Sequence, residues 1–262
     1  MVNECAIVES NTLISSVFWK MDLSAPLIAN HCKPGQFINI LPDTKWSHTM
    51  RRPMSIAGRS SEKISIVYKV IGEGSAKMAT IKPGDSLDII GPLGNYWIDF
   101  ENGFPILLAG GVGVAPILFL HDHLTKHHIS HKMIMGTRTK DEHIFSSLPE
   151  SDFIRTTDDG TYGLKGTVVD ALRKMQKPVR QQIKIYACGP PGMLNAVNQF
   201  SHYHKLTDYL AVETIMACGF GICQGCAIKT TRKQTSPDSY RKRYVLACVD
   251  GPIFNGKDIL LC

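Results

Sequence analysis

Three unlike segments in tandem predict a mixed fold. They are an antiparallel β-barrel over residues 1–98, a parallel-sheet α/β domain over 99–210 and a small cysteine-rich domain over 211–262. Three observations carry this prediction. Up to residue 98 short alternating runs are broken by proline–glycine turns. From residue 104 continuous apolar runs end in glycine turns and lead into helical stretches. Four of the chain's eight cysteines then fall between positions 218 and 248.

In the first segment, residues 6–8, 16–21, 36–40 and 63–70 read as strands. Lys33-Pro34-Gly35 and Lys82-Pro83-Gly84-Asp85 are turn signals, because proline presets φ and glycine accepts a positive one. Several short strands at this spacing suggest a small barrel. Two segments there carry more than fold. In Arg51-Arg52-Pro53-Met54-Ser55-Ile56 an arginine offers a rigid fork to a pyrophosphate, and a serine hydroxyl can bond a flat heterocycle. Gly72-Glu73-Gly74-Ser75 reads as a glycine loop opening a short helix over 76–79, with Ser75 as its N-cap; backbone N–H groups at a helix start favour phosphate. Alone, the first is an edge device and the second a plain capped helix. Their co-occurrence in one barrel favours binding.

The second segment opens with the apolar run 104–109, which ends in Gly110-Gly111-Val112-Gly113-Val114-Ala115-Pro116 before an apolar helix at 117–120. Strand, glycine turn and helix make the layout in which a dinucleotide's phosphates meet a helix N-terminus, although the G-x-G-x-x-G fingerprint itself is not matched. Residues 132–136 and 152–157 are further strands, and 182–187 leads into Cys188-Gly189-Pro190-Pro191-Gly192. Strands alternating with helices predict a parallel sheet with its ligand at the strands' C-terminal ends. Cys188 reads as a small wall of a nicotinamide pocket, ahead of a ligand, a nucleophile or a core thiol. Asp158-Asp159-Gly160 reads as a turn in slight preference to a ribose contact. The histidines at 121, 123, 127, 128 and 131 fit no ligand spacing and read as a polar helix face running into a loop.

Cys218, Cys223, Cys226 and Cys248 follow C-x4-C-x2-C with a distant fourth cysteine, the plant-ferredoxin ligand set for a [2Fe–2S] cluster. A loop around a cluster must turn tightly and aim N–H groups at sulfur, and Gly219, Gly221 and Gly225 allow that. Structural zinc sites usually pair their cysteines as C-x2-C…C-x2-C, and disulfides need an oxidising compartment. The N-terminus has an early acid and no basic-then-apolar layout, so the expected location is cytoplasmic. The chain is 44% hydrophobic and 20% charged, with no apolar run of membrane-spanning length. A net charge of +6, spread along the chain, points to anionic cofactors or an acidic partner surface rather than nucleic acid.

Taken together, R-P-x-S and G-x-G-S in a barrel, then G-G-V-G-V-A-P and C-G-P-P, resemble the ferredoxin–NADP reductase superfamily. With the C-terminal E-x-x-M-A-C-G-x-G-x-C-x-x-C and C-V-D-G-P-x-F, the likeness narrows, over essentially the whole chain, to electron-transfer subunits of class 1B dihydroorotate dehydrogenases. The resemblance implies an FAD site at Arg52, Pro53, Met54, Ser55, Val67, Tyr68, Lys69, Gly74 and Ser75. It implies a nicotinamide-nucleotide site for NAD(H) at Gly110, Gly111, Gly113, Cys188 and Gly189, and cluster ligands at Cys218, Cys223, Cys226 and Cys248. It also implies an FMN-containing catalytic partner in a heterotetramer, with electrons passing between that partner and NAD⁺ in pyrimidine biosynthesis. Hydride transfer needs no acid–base residue, so no catalytic side chain is expected.

Rival expectations are a reductase subunit of another complex (hydrogenase, sulfur reductase or ferredoxin-linked), a stand-alone reductase and a non-enzymatic redox sensor. Coenzyme choice between NADH and NADPH is not legible. Cys5, Cys32 and Cys262 receive no role, and the stretch 227–247, with Thr235-Ser236-Pro237-Asp238, is longer than the family usually has.

Overall fold

A computed structural model describes residues 1–43, 50–100, 102–144, 153–175, 182–231 and 243–261. Strands β1 (Val2–Leu13), β2 (Phe18–Ser24), β3 (Phe37–Ile40), β4 (Arg52–Arg59), β5 (Lys63–Lys69) and β6 (Ser86–Leu93) close into an antiparallel barrel in the order β1-β2-β5-β4-β3-β6. Alternation sorts the side chains. On β5, Ile64, Ile66 and Tyr68 fill the interior with Met21, Ile38, Ile40 and Ile56, while Val67 faces the second domain's core. Pro53 is tolerated because this half of β4 pairs only with β3; the β4–β5 register begins at Ile56. Strand β6 has no counterpart among the predicted strands. Short helices α1 (Pro26–Ala29) and α2 (Glu73–Ala79) close the ends.

The second layer is a seven-stranded sheet. Its strands β7 (Phe104–Gly110), β8 (Lys132–Thr137), β9 (Phe153–Thr157), β10 (Leu164–Lys165), β11 (Ile183–Cys188) and β12 (Thr207–Ala211) run parallel, with α3 (Val114–Lys126), α4 (Val168–Lys174) and α5 (Pro191–His204) around them. The order β10-β9-β8-β7-β11-β12 reverses direction between β7 and β11. That switch point is where open parallel sheets bind ligands. Phe119 of α3 reaches into the barrel core and joins the two domains. Lys184, buried, holds Asp99 at the junction: its Nζ is 2.6 Å from Oδ2, and Tyr209 donates to the same oxygen at 2.9 Å.

The histidine-rich stretch departs from a solvated face. His121 is buried, its Nδ1 2.7 Å from Nε2 of His131, and its ring meets Phe153 edge-on at 5.0 Å. His128 adopts a left-handed φ of +56° as the chain leaves the helix.

The third segment does not stand apart. Its hairpin β13 (Ala227–Lys229) and β14 (Tyr244–Leu246) is separate, but β15 (Ile253–Asn255) adds antiparallel to β12 as the sheet's last strand. Asn95 of the barrel donates to the carbonyls of Asp250 and Ile253, each at 2.8 Å. Thr235-Ser236-Pro237-Asp238 and Cys262 lie outside the described residues. Among the described residues no helix is long and apolar enough to cross a membrane.

Candidate functional site

Three sites meet along one seam. The first is a cleft of about 230 Å³ between barrel and sheet. Pro53, Met54 and Ser55 of β4 and Val67, Tyr68 and Lys69 of β5 line one wall, while Val112 and Ala115 face them. Apolar walls with a few polar groups suit a flat heterocycle. Arg52 and Gly74 are brought together: a Cβ on Gly74 would stand 2.4 Å from Arg52 Nε, so only glycine lets the guanidinium lie against α2. The neighbouring Arg51 has a different job, pairing with Asp88 at 2.7 Å.

Two expectations change here. Ser75 is not the N-cap; Gly72 is, and Ser75 sits inside the first turn. Its hydroxyl accepts from the N–H groups of Ile71 and Gly72 at 2.9 and 3.2 Å and donates to the Gly72 carbonyl at 2.9 Å. Ser75 therefore shapes the loop. Tyr68 turns its ring into the barrel, its hydroxyl donating to Asn11 Oδ1 at 2.8 Å; burial pushes that phenol up to about 12. What β5 gives the cleft at this position is main chain rather than an aromatic face.

The cleft also contains residues with no expected cofactor role. Val212, Glu213, Thr214 and Met216, from the lead into the cysteine loop, form its far side. Glu213 is open to the cleft yet ringed by protein, and that loss of water raises its carboxyl pKa. The E-x-x-M spacing was the available signal, but nothing in it says which cleft it faces.

The second site is a cavity of about 480 Å³ over the switch point, lined by Gly110, Gly111, Val112, Pro190, Gly192 and Met193. Gly111 takes φ +54°, a left-handed conformation that favours glycine. Gly113 serves packing: a Cβ there would lie 2.4 Å from the Cys188 carbonyl oxygen. Gly189 likewise lets its turn close on Gly110, whose Cα would be 3.1 Å from an added Cβ. Cys188 is itself buried beneath the two turns, in the core shared with Ala109 and Ala211. Burial, with Glu213 nearby, pushes its thiol well above the ordinary range. It supports the turns as a small core residue rather than facing the cavity. Beyond the glycine turns, Thr137, Arg138 and Asp158 at the ends of β8 and β9 continue the wall. Asp158 thus belongs to the cavity, while Asp159 makes the turn by accepting from Thr161 N–H at 2.9 Å. Lys69 and Val112 line both cavity and cleft, so the two spaces share a lip.

The third site is the cysteine loop. Its thiols come as two pairs. Cys218 Sγ accepts the Cys223 N–H at 3.4 Å, and Cys226 Sγ lies 3.2 Å from Cys248 Sγ. All four are free thiols, and no disulfide joins them. Gly219 and Gly221 take φ of +82° and +92°, and Gln224 follows at +57°. This lets successive N–H groups turn inward. Burial alone would raise the Cys218 thiol, but the N–H groups of Cys223, Phe220 and Ile222 bring it down to about 6. The loop is thus built to hold thiolate. Burial and the adjoining Cys226 push Cys248 the other way, so this pair calls for a cation. Among the described residues no three His, Cys, Asp or Glu side chains are gathered for one metal ion. Two thiol pairs fit a two-iron cluster better than one zinc. Asn39, fully buried on β3, donates its amide to the Cys218 carbonyl at 2.8 Å and so pins the loop to the barrel.

Comparison with known proteins agrees with this layout. The model for the iron–sulfur cluster binding domain of dihydroorotate dehydrogenase B matches residues 213–260, and that for an oxidoreductase NAD-binding domain matches 107–199. The electron-transfer subunit of dihydroorotate dehydrogenase B (NAD(+)) from Fusobacterium nucleatum is 32% identical, covering 98% of each chain. Its counterpart from Bacillus velezensis is 33% identical over 97% of each.

The chain belongs to this family of electron-transfer subunits.

Solved structures agree in fold. An NADH-dependent reduced ferredoxin–NADP oxidoreductase superposes with a TM-score of 0.84 at 26% identity, covering 98% of this chain and 90% of that one. Phthalate dioxygenase reductase shares the fold with a TM-score of 0.66 at 18% identity, covering 94% of each chain. The family's cofactor set of FAD, a [2Fe–2S] cluster and NAD(H) matches the three sites.

Proposed function

We propose that this chain is the electron-transfer subunit through which an FMN-containing dihydroorotate dehydrogenase catalytic subunit delivers electrons to NAD⁺ in pyrimidine biosynthesis. The observation that carries the reading is the contiguity of the sites. Cavity and cleft share Lys69 and Val112. The cleft and the cysteine loop are joined by the short stretch from Glu213 to Cys218. When bound, FAD exchanges a hydride with the nicotinamide and trades single electrons with the cluster.

The protein's part is position and potential. Arg52 and Gly74 receive the FAD phosphates, and Ser55 bonds the ring. Lys69 closes the lip between ring and nicotinamide. The glycine turns at 110–113 and 189 take the dinucleotide's phosphates at the switch point. Cys218, Cys223, Cys226 and Cys248 hold the cluster, and inward N–H groups favour its charge. The exposed side of the loop, with Cys223 in the open and Ile222 at 75% exposure, faces the partner. In this reading the complex is a cytoplasmic heterotetramer of two copies of each subunit, with domains at 1–98, 99–210 and 211–262.

Mixing the purified chain with the catalytic subunit should give dihydroorotate-driven reduction of NAD⁺ that neither subunit performs alone. Absence of coupling in a stable complex would count against it. The close superposition on the NADH-dependent ferredoxin–NADP oxidoreductase favours, as second reading, a ferredoxin-linked partner. That reading expects coupling to a ferredoxin-reducing subunit instead.

A further inference from the structure

The nucleotide cavity has one end at the flavin cleft and the other at the tips of β8 and β9. A nicotinamide must reach the shared lip at Lys69 and Val112, so the adenosine end of the dinucleotide lies toward Arg138 and Asp158. An arginine at such a place is the usual partner of a 2′-phosphate, and an acid the usual partner of a free ribose hydroxyl. Here the arginine is already occupied. Arg138 donates through Nε to Glu142 Oε1 at 3.0 Å and through Nη2 to the same oxygen. Glu142 is only 8% exposed and sits in the cavity wall. Asp158, exposed at the end of the neighbouring strand and close enough to act on Arg138, adds a second negative charge.

We infer that Arg138, Glu142 and Asp158 together set coenzyme choice, accepting the free 2′-hydroxyl of NAD(H) and rejecting the 2′-phosphate of NADP(H). The inference rests on reading this cavity as the dinucleotide site. At this end the wall presents one cation against two carboxylates, so a phosphate dianion meets net repulsion and an arginine whose Nε–Nη2 edge is engaged by Glu142. Lys69, at the lip shared with the flavin cleft, also acts on Glu142 and offsets part of its charge, which leaves Asp158 as the carboxylate that decides the sign beside Arg138.

The test uses the FAD- and cluster-loaded protein. Calorimetry gives the affinities of ADP-ribose and its 2′-phosphate, and anaerobic flavin reduction gives apparent affinities for NADH and NADPH. Wild type should favour the unphosphorylated member of each pair at least tenfold. Asp158→Asn should narrow that ratio, and Glu142→Gln with Asp158→Asn should narrow it at least tenfold. Adding Arg138→Ala should restore the original preference. Asp158 is on the surface, so D158N keeps the test open even where the Glu142 change fails to fold. If NADH reduces the flavin and the ratio stays within twofold across these variants, the inference falls alone. A wild type that takes both coenzymes equally overturns it as well. If NADH and ADP-ribose do not bind, the dinucleotide reading falls and takes the inference with it.

Discussion

Asp208 offers a quantitative test at the seam between sheet and cysteine loop. It sits on β12, 4% exposed, where Gly256 of the last segment comes so close that an added Cβ would be 2.6 Å from Oδ2. Burial pushes its carboxyl up to about 6 from an ordinary 3.8, only partly offset by the N–H groups of Asp208 itself and Gly256. The folded state therefore holds the proton more tightly than the unfolded one. The contribution of Asp208 to stability is highest below about pH 4 and falls as the pH rises toward 6, levelling off above it. The full difference corresponds to at most about 3 kcal/mol, and roughly half of it, about 1.4 kcal/mol, develops between pH 5 and 8. Asp208→Asn removes this slope, and any cost of its buried amide is independent of pH. The difference in melting temperature between variant and wild type, measured on the cofactor-loaded proteins, should move by about 3–5 °C in the variant's favour between pH 5 and pH 8. A difference that stays constant across that range would refute a raised carboxyl at this seam.

Three further outcomes follow. Lys184→Met removes the buried cation that pairs with the partly exposed Asp99 and should cost about 0.5–1.5 kcal/mol in urea unfolding at pH 7. Hydrogen bonding from Lys184 holds the Asp99 pKa low, so wild-type stability from this pair is present above pH 3.8 and lost as pH falls through the lower folded value; the variant should lack that acid-side loss. Gly219→Ala forces φ +82° on a residue with a side chain and drives a Cβ to 2.6 Å from Asn39 Nδ2. The strain is about 1–2 kcal/mol before the clash is counted, so iron and sulfide per chain should drop while FAD is retained. Arg52→Ala should weaken FAD at least tenfold in a fluorescence titration of the released flavin, whereas cluster iron should stay constant.

The parts legible from sequence are those written locally. Alternation marks β2, β3 and β5, and the glycine turns mark the ends of β7 and β11, because period and turn chemistry need only neighbours in the chain. The four-cysteine spacing is legible for the same reason. What escaped depends on long-range contact. Asn39 meets Cys218 across 179 positions of sequence, and β15 joins the nucleotide sheet from beyond the cysteine loop. Ser75 is not the helix cap and the Tyr68 ring turns inward, since the depth of a helix start and the inward phase of a strand depend on the closed barrel. His121 went inside because α3 turns it toward Phe153, whereas Asp122 and His123 after it are polar. Glu213 and Arg138 were invisible as site residues until cleft and cavity existed.

Nicotinamide, flavin and cluster sites are read here as one connected path. An anaerobic visible spectrum recorded during NADH titration, with iron and zinc assayed on the same sample, tests it most directly. Flavin bands and broad iron–sulfur absorbance should bleach together as NADH is added, with about two irons per chain. Zinc in place of iron, or a cluster that NADH leaves oxidised while the flavin is reduced, would contradict it.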